Sequence, residues 1–371
     1  MKNNKDLCLI YNFAQHYRAR IFQLISQTYD CDFVFGDSHG DIKLMDYSLL
    51  KGDVKVCHTV RLFGGFYYQK GVLSSLWKGY SSYILLGESR AVSTWLFLLL
   101  SKFFSQKKVF LWTHGWYGKE TKIESLLKNM MFRLPNGGNF LYGNYARELM
   151  LKEGFKAEKL FVIHNSLDYD NQLEIRKTLQ LSDIYKNHFN NSNPVVIFIG
   201  RLSTVKQLDV LIDAIYMLMQ QGVNYNVVFV GDGEEKQRLE QKVHGLQLER
   251  CVWFYGACYD ELQNATLIYN ADVCVAPGNV GLTAMHAMMF GTPVITHNDF
   301  SHQMPEFEAV KPGETGDFFN YGDVKSLCGT LQNWIKKNAG TRQKIRENCY
   351  REIDESWNPL YQISVLKKRL K

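Results

Sequence analysis

Short runs of β-branched and aromatic residues alternate along the chain with longer segments whose apolar positions recur at helical spacing. Near-continuous apolar strands joined by helices are typical of a parallel sheet covered on both faces. In the first half we predict strands at 7–12, 32–36, 54–60, 82–86, 108–113, 139–142 and 160–163, and helices at 17–28, 90–104, 121–133 and 144–153.

A polar, Asn-rich segment at 181–194, LSDIYKNHFNNSNP, interrupts this pattern and predicts a linker. Beyond it we predict strands at 195–200, 226–231, 252–256, 273–277 and 293–296, and helices at 206–220, 234–244, 259–269 and 282–290. The fold class is therefore α/β, with two Rossmann-like, doubly wound domains that face each other across a cleft. The expected domains are 1–188 and 189–350, and a charged C-terminal helix at 351–371 is expected to pack back on the first.

Composition narrows the class of protein. A length of 371 residues fits two domains, and 46% apolar with 22% charged residues is a globular balance. The formal charge of +6 suits an anionic ligand or membrane surface but lacks the dense clustering of a nucleic-acid binder. The eight cysteines show no C-x-x-C pair, and several lie in apolar runs, which predicts reduced thiols and a cytoplasmic protein.

The most hydrophobic segment, STWLFLLLSKFF at 93–104, is too short to span a bilayer, which takes about 20 residues. It predicts a buried helix or, with Lys102, Lys107 and Lys108 beside it, a helix lying at the inner membrane surface. The first residues, MKNNKDLCLIYNF, have a short apolar run and no small-residue cleavage site, so we interpret them as a strand and not as a signal peptide.

Candidate chemistry lies at the ends of the strands of the second half. Gly200 and Arg201 end the first of these strands and Lys206 begins the next helix, so two cations lie where a diphosphate leaving group can be neutralised without a metal. Surface cations after a strand are also common, and this pattern gains weight only from the later motifs in the same register. The turn at 277–281 opens a helix, where free N–H groups and the helix dipole favour an anionic oxygen.

These motifs resemble a known family in order and spacing. GRL-x-x-x-K, G-D-G, F-Y-G, NADVCVAPGNVGLTAMHAMMFGTPVIT and GETG extend over nearly the whole second half and resemble the family 4 retaining glycosyltransferases, which have the GT-B fold. In the first half, LWTHGWYG resembles the His-Gly that faces the donor sugar, and VIHNSLD at 162–168 resembles the segment that closes the first domain. HYRARIFQLIS at 16–26 resembles the first helix of members that glycosylate lipid-linked or surface glycans.

The chain departs from this family at two positions. Members carry Glu, seven residues, then Glu, and in register these positions are Gly278 and His286. The resemblance implies that the first acid lies near the donor sugar and pyrophosphate and that the second holds the ribose hydroxyls. A neutral imidazole at His286 still donates and accepts hydrogen bonds, although a histidine that only fills space is the alternative. Glu306 and Glu308 are the nearby candidates for the lost charge.

The resemblance implies a metal-independent retaining transfer in which the leaving phosphate helps to deprotonate the acceptor hydroxyl. The expected donor is a nucleotide-diphosphate sugar, most often a UDP-sugar, and the expected acceptor is a lipid-linked glycan in lipopolysaccharide or capsule synthesis. We expect no cofactor, no metal site and no nucleic-acid partner. The predicted catalytic residues are His114, Arg201 and Lys206, and the predicted donor-binding residues are Gly200, Gly231, Tyr255, Gly256, Gly278, Asn279, Val280, Gly281, Leu282, His286, Glu306 and Glu308.

Two other functions stay open at this point. A catalytically silent GT-B protein that serves as a scaffold for an active transferase is favoured by the missing glutamates and disfavoured by the retained Arg201, Lys206 and His114. A sugar-nucleotide epimerase would need carboxylates that the motifs do not offer. The pair Asp30 and Asp32 matches the metal-binding Asp-x-Asp of the other large glycosyltransferase fold, but it precedes a strand, whereas strand ends line the cleft.

Overall fold

The computed structural model describes residues 5–38, 40 and 42–370. The chain divides into two compact units, Met1–Asp168 with Asn358–Lys371, and Tyr169–Trp357. This division differs from the predicted boundaries at 188 and 350, because the segment after Asp168 packs within the second unit and the segment from Asn358 packs within the first.

The first unit contains a large parallel sheet. Its strands and helices are β1 (Lys5–Tyr11), α1 (Ala19–Thr28), β2 (Cys31–Gly36), β3 (Val54–Cys57), β4 (Thr59–Arg61), β5 (Tyr67–Gln69), β6 (Tyr80–Leu86), α2 (Val92–Ser101), β7 (Lys108–Thr113), α3 (Lys122–Phe132), β8 (Gly138–Leu141), α4 (Asn144–Lys152) and β9 (Leu160–Val162). Among the described residues, seven strands lie parallel in the order β3-β2-β1-β6-β7-β8-β9, and β4 and β5 form a separate antiparallel pair. The strand order reverses between β1 and β6, which is where ligands bind in such sheets.

Apolar side chains cover both faces of this sheet, as its unbroken apolar strands predict. On one face, Phe22 of α1 packs against Phe33 and Phe35 of β2. On the other face, Tyr83 of β6 packs edge-on against Phe97 of α2. Since Phe97 is fully buried, the interpretation of 93–104 as a core helix is confirmed for this side of α2. Of the helices in the described part of the chain, none has the length and apolar character that a membrane span requires.

The second unit, all of whose residues are described, repeats this design. Its elements are α5 (Tyr169–Thr178), α6 (Ile184–Phe189), β10 (Val195–Ile199), α7 (Leu208–Gln220), β11 (Asn226–Val230), α8 (Lys236–Gly245), β12 (Val252–Gly256), α9 (Glu261–Asn270), β13 (Val273–Ala276), α10 (Leu282–Met289), β14 (Val294–His297), β15 (Gly316–Phe319), α11 (Val324–Lys337) and α12 (Arg342–Ser356). Six parallel strands have the order β12-β11-β10-β13-β14-β15, which reverses between β10 and β13.

The segment predicted as a linker contains helix α6. Tyr185 and Phe189 lie one helical turn apart and are both buried, and the Tyr185 hydroxyl donates to the Leu267 carbonyl of α9 at 2.7 Å. The His188 ring stacks on Trp253 with 3.7 Å between ring centroids. The polar residues around these aromatics hid the apolar face from the sequence pattern, and their packing explains why the second unit begins before residue 189.

The last helix, α13 (Pro359–Lys367), packs on α1 in the first unit. Its Gln362 side chain is buried, accepts a hydrogen bond from the Ser166 hydroxyl at 2.7 Å and donates to the His164 carbonyl at 2.9 Å. These bonds attach the end of the chain to the loop after β9. The first unit is therefore closed by residues from both ends of the sequence.

Candidate active site

In the second unit, a cavity of about 300 Å³ lies at the carboxyl end of the sheet, beside the point where the strand order reverses. Four predicted residues line it, namely Gly200, Arg201, Gly231 and His286. The lining also includes Asp232, Ala257, Cys258, Tyr259 and Asn264. The position is the one where doubly wound sheets bind nucleotides.

The floor of this cavity is a row of closely spaced backbones. The Gly231 N–H donates to the Gly256 carbonyl at 2.8 Å, and the Gly200 N–H donates to the Val230 carbonyl at 2.9 Å. Gly231 has a φ of +149°, and a Cβ there would lie 1.9 Å from the Gly200 carbonyl oxygen. Only glycine fits at this position. The close approach of the Gly231 and Gly200 backbones therefore explains the first glycine of the G-D-G motif. Tyr255 packs edge-on against Trp253, and the residues after it line the cavity instead.

The turn at 277–281 is bound to the segment that carries Lys206. The Gly278 N–H donates to the Lys206 carbonyl at 2.9 Å, and the Asn279 N–H donates to the Val205 carbonyl at 3.2 Å. The Val280 N–H donates to the buried Gln303 side chain at 2.9 Å. The N–H groups of positions 278–280 therefore already have acceptors within the protein.

The N–H groups available to an anion belong to the start of helix α10. The first N–H groups of an α-helix have no acceptor within the helix, which applies to Leu282 and Thr283. The Thr283 hydroxyl donates to the Ile199 carbonyl at 2.9 Å and fixes this helix end against β10. The anion site predicted at this helix start therefore depends on the N–H groups of the first turn of α10.

Gly278, the first position where the family carries glutamate, has no room for any side chain. A Cβ at Gly278 would lie 2.1 Å from the Val205 carbonyl oxygen and 2.7 Å from the Lys206 carbonyl carbon. Both contacts are with backbone, which cannot rotate away. A glutamate at position 278 is therefore incompatible with the packing of the 277–281 turn against residues 205–206.

Lys206 lies against the same turn. Its ammonium donates to the Asn279 carbonyl at 2.7 Å and to the Asn279 side-chain oxygen at 2.8 Å, with the Val280 carbonyl at 3.4 Å. Burial lowers the pKa of Lys206 to about 8, and the charge of Glu306 acts in the opposite direction. Glu306 is 2% exposed, and Glu308 lies half-buried in the same short 3-10 turn. Glu306 is thus the predicted acid whose charge reaches this cation.

Arg201 differs from Lys206 in its surroundings. Its side chain is exposed at the rim of the cavity, directly after Gly200. An exposed guanidinium at the mouth of a cavity can form a two-point contact with a phosphate. The two predicted cations therefore differ, since one is buried on the turn and the other is open to solvent.

His286, the second family position, makes a hydrogen-bond contact with a carboxylate that the sequence did not indicate. Its Nε2 lies 3.0 Å from a Glu261 carboxylate oxygen of α9, and the Gln172 amide donates to the same oxygen at 2.7 Å. Burial raises the pKa of Glu261, but the contacts with His286 and Gln172 outweigh it, so the pKa lies below its ordinary value. The carboxylate is therefore charged and lies beside the cavity. No motif includes Glu261, because the pairing depends on how α9 packs against α10.

In the first unit, His114 comes directly after β7 and lines a second cavity, of about 330 Å³, at the point where the order of that sheet reverses. Burial, with the charges of Arg18 and Lys128, lowers the pKa of His114 to about 3, so the imidazole is neutral. Its Nδ1 is buried and has no hydrogen-bond partner among the described residues. A neutral imidazole with a free ring nitrogen can bind a sugar hydroxyl.

The pair Asp30 and Asp32 does not form a metal site. The Asp32 carboxylate accepts from the Lys5 ammonium at 2.6 Å, from the Tyr80 hydroxyl at 2.5 Å and from the Asp53 N–H at 2.9 Å. These contacts bind it to the structure of the first unit. Within the described residues, no group of three or more His, Cys, Asp or Glu side chains is arranged to hold a metal ion.

One family model matches within the second unit. Residues 180–352 match the family model described as glycosyl transferases group 1. Over 104 residues the chain is 36% identical to a GDP-mannose-dependent alpha-(1-6)-phosphatidylinositol dimannoside mannosyltransferase of Mycobacterium tuberculosis, covering 27% of this chain and 26% of that protein. It is 24% identical over 220 residues to an uncharacterized 41.2 kDa protein in the cps region of Klebsiella pneumoniae, covering 57% of this chain and 56% of that protein. The matched part of the chain thus covers about a quarter of the mycobacterial relative and just over half of the Klebsiella relative.

Solved structures match over nearly the whole length. The complex of Anabaena HepE with UDP has a TM-score of 0.71 at 16% identity, covering 98% of each chain. The lipopolysaccharide outer core galactosyltransferase WaaB has a TM-score of 0.71 at 15% identity, again covering 98% of each chain. Likeness at this identity shows the fold, which is GT-B. The match to the glycosyl transferases group 1 model is confined to residues 180–352.

Proposed function

We propose that this chain is a metal-independent, retaining glycosyltransferase that takes its sugar from a nucleotide-diphosphate donor. The observation that carries the proposal is the joint position of two cations and a helix start at one end of the second sheet. Arg201 lies at the cavity rim, Lys206 lies on the 277–281 turn, and helix α10 begins directly after that turn. A departing diphosphate needs this kind of charge, and the protein supplies it without a metal.

The pair of His286 and Glu261 takes the place of the family's second glutamate. A carboxylate from α9 reaches the region where the motif would place one from α10, and His286 presents a ring beside it. A ribose diol needs acceptors for its two hydroxyls, and the charged Glu261 supplies them. Nucleotide binding therefore does not require the missing acid.

Retaining transfer depends on holding the diphosphate and the sugar together. The acceptor hydroxyl oxygen bonds to the anomeric carbon on the face from which the diphosphate departs, the bond from carbon to diphosphate oxygen breaks, and the hydroxyl proton passes to that oxygen. Arg201, Lys206 and the α10 N–H groups stabilise the charge that develops on the leaving group. In the first unit, the neutral ring of His114 can bind a sugar hydroxyl.

The relatives suggest the donor and acceptor classes. HepE has been solved with UDP and with UDP-glucose, which supports a UDP-sugar as the donor. The mycobacterial relative is GDP-mannose-dependent, so a GDP-sugar is the alternative donor. WaaB and the protein from the cps region belong to surface polysaccharide systems by their names. We therefore propose a glycan acceptor of that kind, linked to a lipid carrier at the cytoplasmic face of the inner membrane.

Contact with that membrane is proposed through α3. Ile123, Leu126 and Met130 are 72%, 60% and 54% exposed along one helix, with Lys119 and Lys122 exposed at its start. The alternative on α2 is weaker, because the Lys107 ammonium already donates to two carbonyls of the first unit. Cosedimentation with vesicles containing phosphatidylglycerol tests this membrane contact. Leu126→Asp should abolish the binding of the protein to the vesicles. Unchanged binding by this variant would contradict a contact through α3.

The decisive experiment uses the purified full chain with UDP-, GDP- and dTDP-sugars in the presence of EDTA. We expect slow hydrolysis of one donor class, and the released sugar should first appear with the anomeric configuration of the donor. Release of the opposite anomer would contradict retention, and a requirement for added divalent metal would contradict metal independence. Nucleotide binding without any turnover, with or without acceptor glycans, would favour the scaffold, which the retained cations argue against.

A further inference from the structure

The cavity of the first unit contains a buried cation, Arg18, that the proposed transfer does not use. Arg18 lies just before α1, is 6% exposed and lines the cavity of about 330 Å³ together with His114. Its guanidinium donates to the Tyr11 hydroxyl at 3.1 Å and to the Tyr142 hydroxyl. It also lies 5.1 to 5.3 Å from the ring centres of Tyr11, Trp112 and Tyr142.

Among the described residues, no carboxylate balances the charge of Arg18. Burial is the main influence on Tyr11 and Tyr142 and raises the pKa of both phenols, so they stay neutral. No carboxylate of the described residues forms an ion pair with Arg18. A buried charge is costly unless it is paired, and a guanidinium that meets only neutral hydroxyls and aromatic faces lacks that pairing.

The other polar groups that line the cavity are of two kinds. Some have no hydrogen-bond partner among the described residues, and others are already bound to the protein. The Gln15 side-chain oxygen and the His114 Nδ1 are buried without a hydrogen-bond partner among the described residues. Lys128, the second cation of the lining, is bound to Glu120 at 2.6 Å. Glu88, the carboxylate of the lining, accepts from the Tyr67 hydroxyl at 2.9 Å. Arg18 is thus the cation left for a ligand, and it has hydrogen-bonding groups beside it.

We propose that this cavity binds an anionic group of the acceptor, a carboxylate or phosphate carried on a sugar. This inference rests on the proposed transferase function, because it assigns the first unit to the acceptor. The planar guanidinium suits a two-oxygen contact with either anion. Gln15 offers a partner for a sugar hydroxyl, and the volume suits a monosaccharide unit.

The test is titration of the full chain by calorimetry with three probes, methyl glucuronide, glucose 1-phosphate and methyl glucoside. We expect the carboxylate or the phosphate sugar, whichever matches the acceptor, to bind at least about tenfold more tightly than the neutral glucoside. Arg18→Gln should remove this preference, while Lys325→Ala, which changes an exposed lysine of the second unit, is the control and should keep it.

Retained binding of a nucleoside diphosphate by Arg18→Gln shows that the variant is folded, and Arg18→Lys provides a second variant that keeps the charge. Equal binding of all three probes by the natural protein would overturn the proposal, as would an anion preference that survives Arg18→Gln. Because these measurements need no donor turnover, their failure is distinguishable from a failure of the proposed transfer, which the donor panel tests separately.

Discussion

The two units repeat one design and use it differently. In both, the order of a parallel sheet reverses beside a cavity at the carboxyl ends of its strands. In the second unit, closely spaced backbones form the cavity, and Gly231, Gly278 and the start of α10 leave little room for variation. In the first unit, side chains form it, with a buried Arg18 among tyrosines. Closely packed backbones suit the diphosphate proposed for the second unit, and a buried guanidinium suits the anionic acceptor group proposed for the first.

The largest expected effect comes from removing the cations of the second unit. Arg201→Ala and Lys206→Ala should each lower transfer by at least about a hundredfold, because the charge on the leaving diphosphate is no longer neutralised. Lys325→Ala, an exposed lysine on α11, is the matched control and should leave transfer unchanged. Transfer at the natural rate in both cation variants would show that the second unit does not use these cations to stabilise the leaving diphosphate.

Restoring the family's first glutamate tests whether backbone contacts define the second site. Gly278→Glu and Gly278→Ala should both lower the melting temperature and transfer, since any Cβ collides with the backbone at 205–206. Gly245→Ala, where a Cβ meets nothing within 4 Å, is the control and should be tolerated. An active, stable Gly278→Glu protein would show that the two segments separate easily.

The pair of His286 and Glu261 gives a smaller and more specific effect. His286→Glu should weaken donor binding about tenfold, because it places a second carboxylate close to the first. His286→Glu combined with Glu261→Gln leaves one carboxylate, at the family's position, and should recover most of the affinity. If the double variant binds no better than His286→Glu alone, Glu261 has no part in nucleotide binding.

The smallest effect is a pH dependence from Lys206. In the free protein the pKa of Lys206 is about 8, and a bound diphosphate raises it by favouring the charged form. Donor affinity should therefore fall as the pH rises above about 8, by about tenfold at one pH unit beyond the pKa. A nucleotide-sugar is the right probe, because its diphosphate diester does not titrate in this range. Lys206→Ala should lack this dependence, and the same slope in that variant would assign it to another group.

The sequence predicted most of the fold, because buried parallel strands are near-continuous apolar runs whose ends are marked by glycine. It missed α6, whose two buried aromatics lie among polar residues, and so placed the domain boundary too late. In the second unit, the motif spacing predicted Gly200, Arg201, Gly231 and His286, which the structure brings together in the lining of one cavity. Glu261 and Arg18 were not identified, since their roles depend on contacts between elements far apart in the sequence.

The central claim is that Arg201, Lys206 and the start of α10 bind a diphosphate. Calorimetric titration of the natural chain, Arg201→Ala and Lys206→Ala with UDP and with uridine, repeated with GDP and guanosine, measures that contribution directly. We predict that one nucleoside diphosphate binds the natural chain at least about a hundredfold more tightly than its nucleoside, and that each variant loses most of this preference. An equal preference in all three proteins, or none in the natural chain, would contradict it.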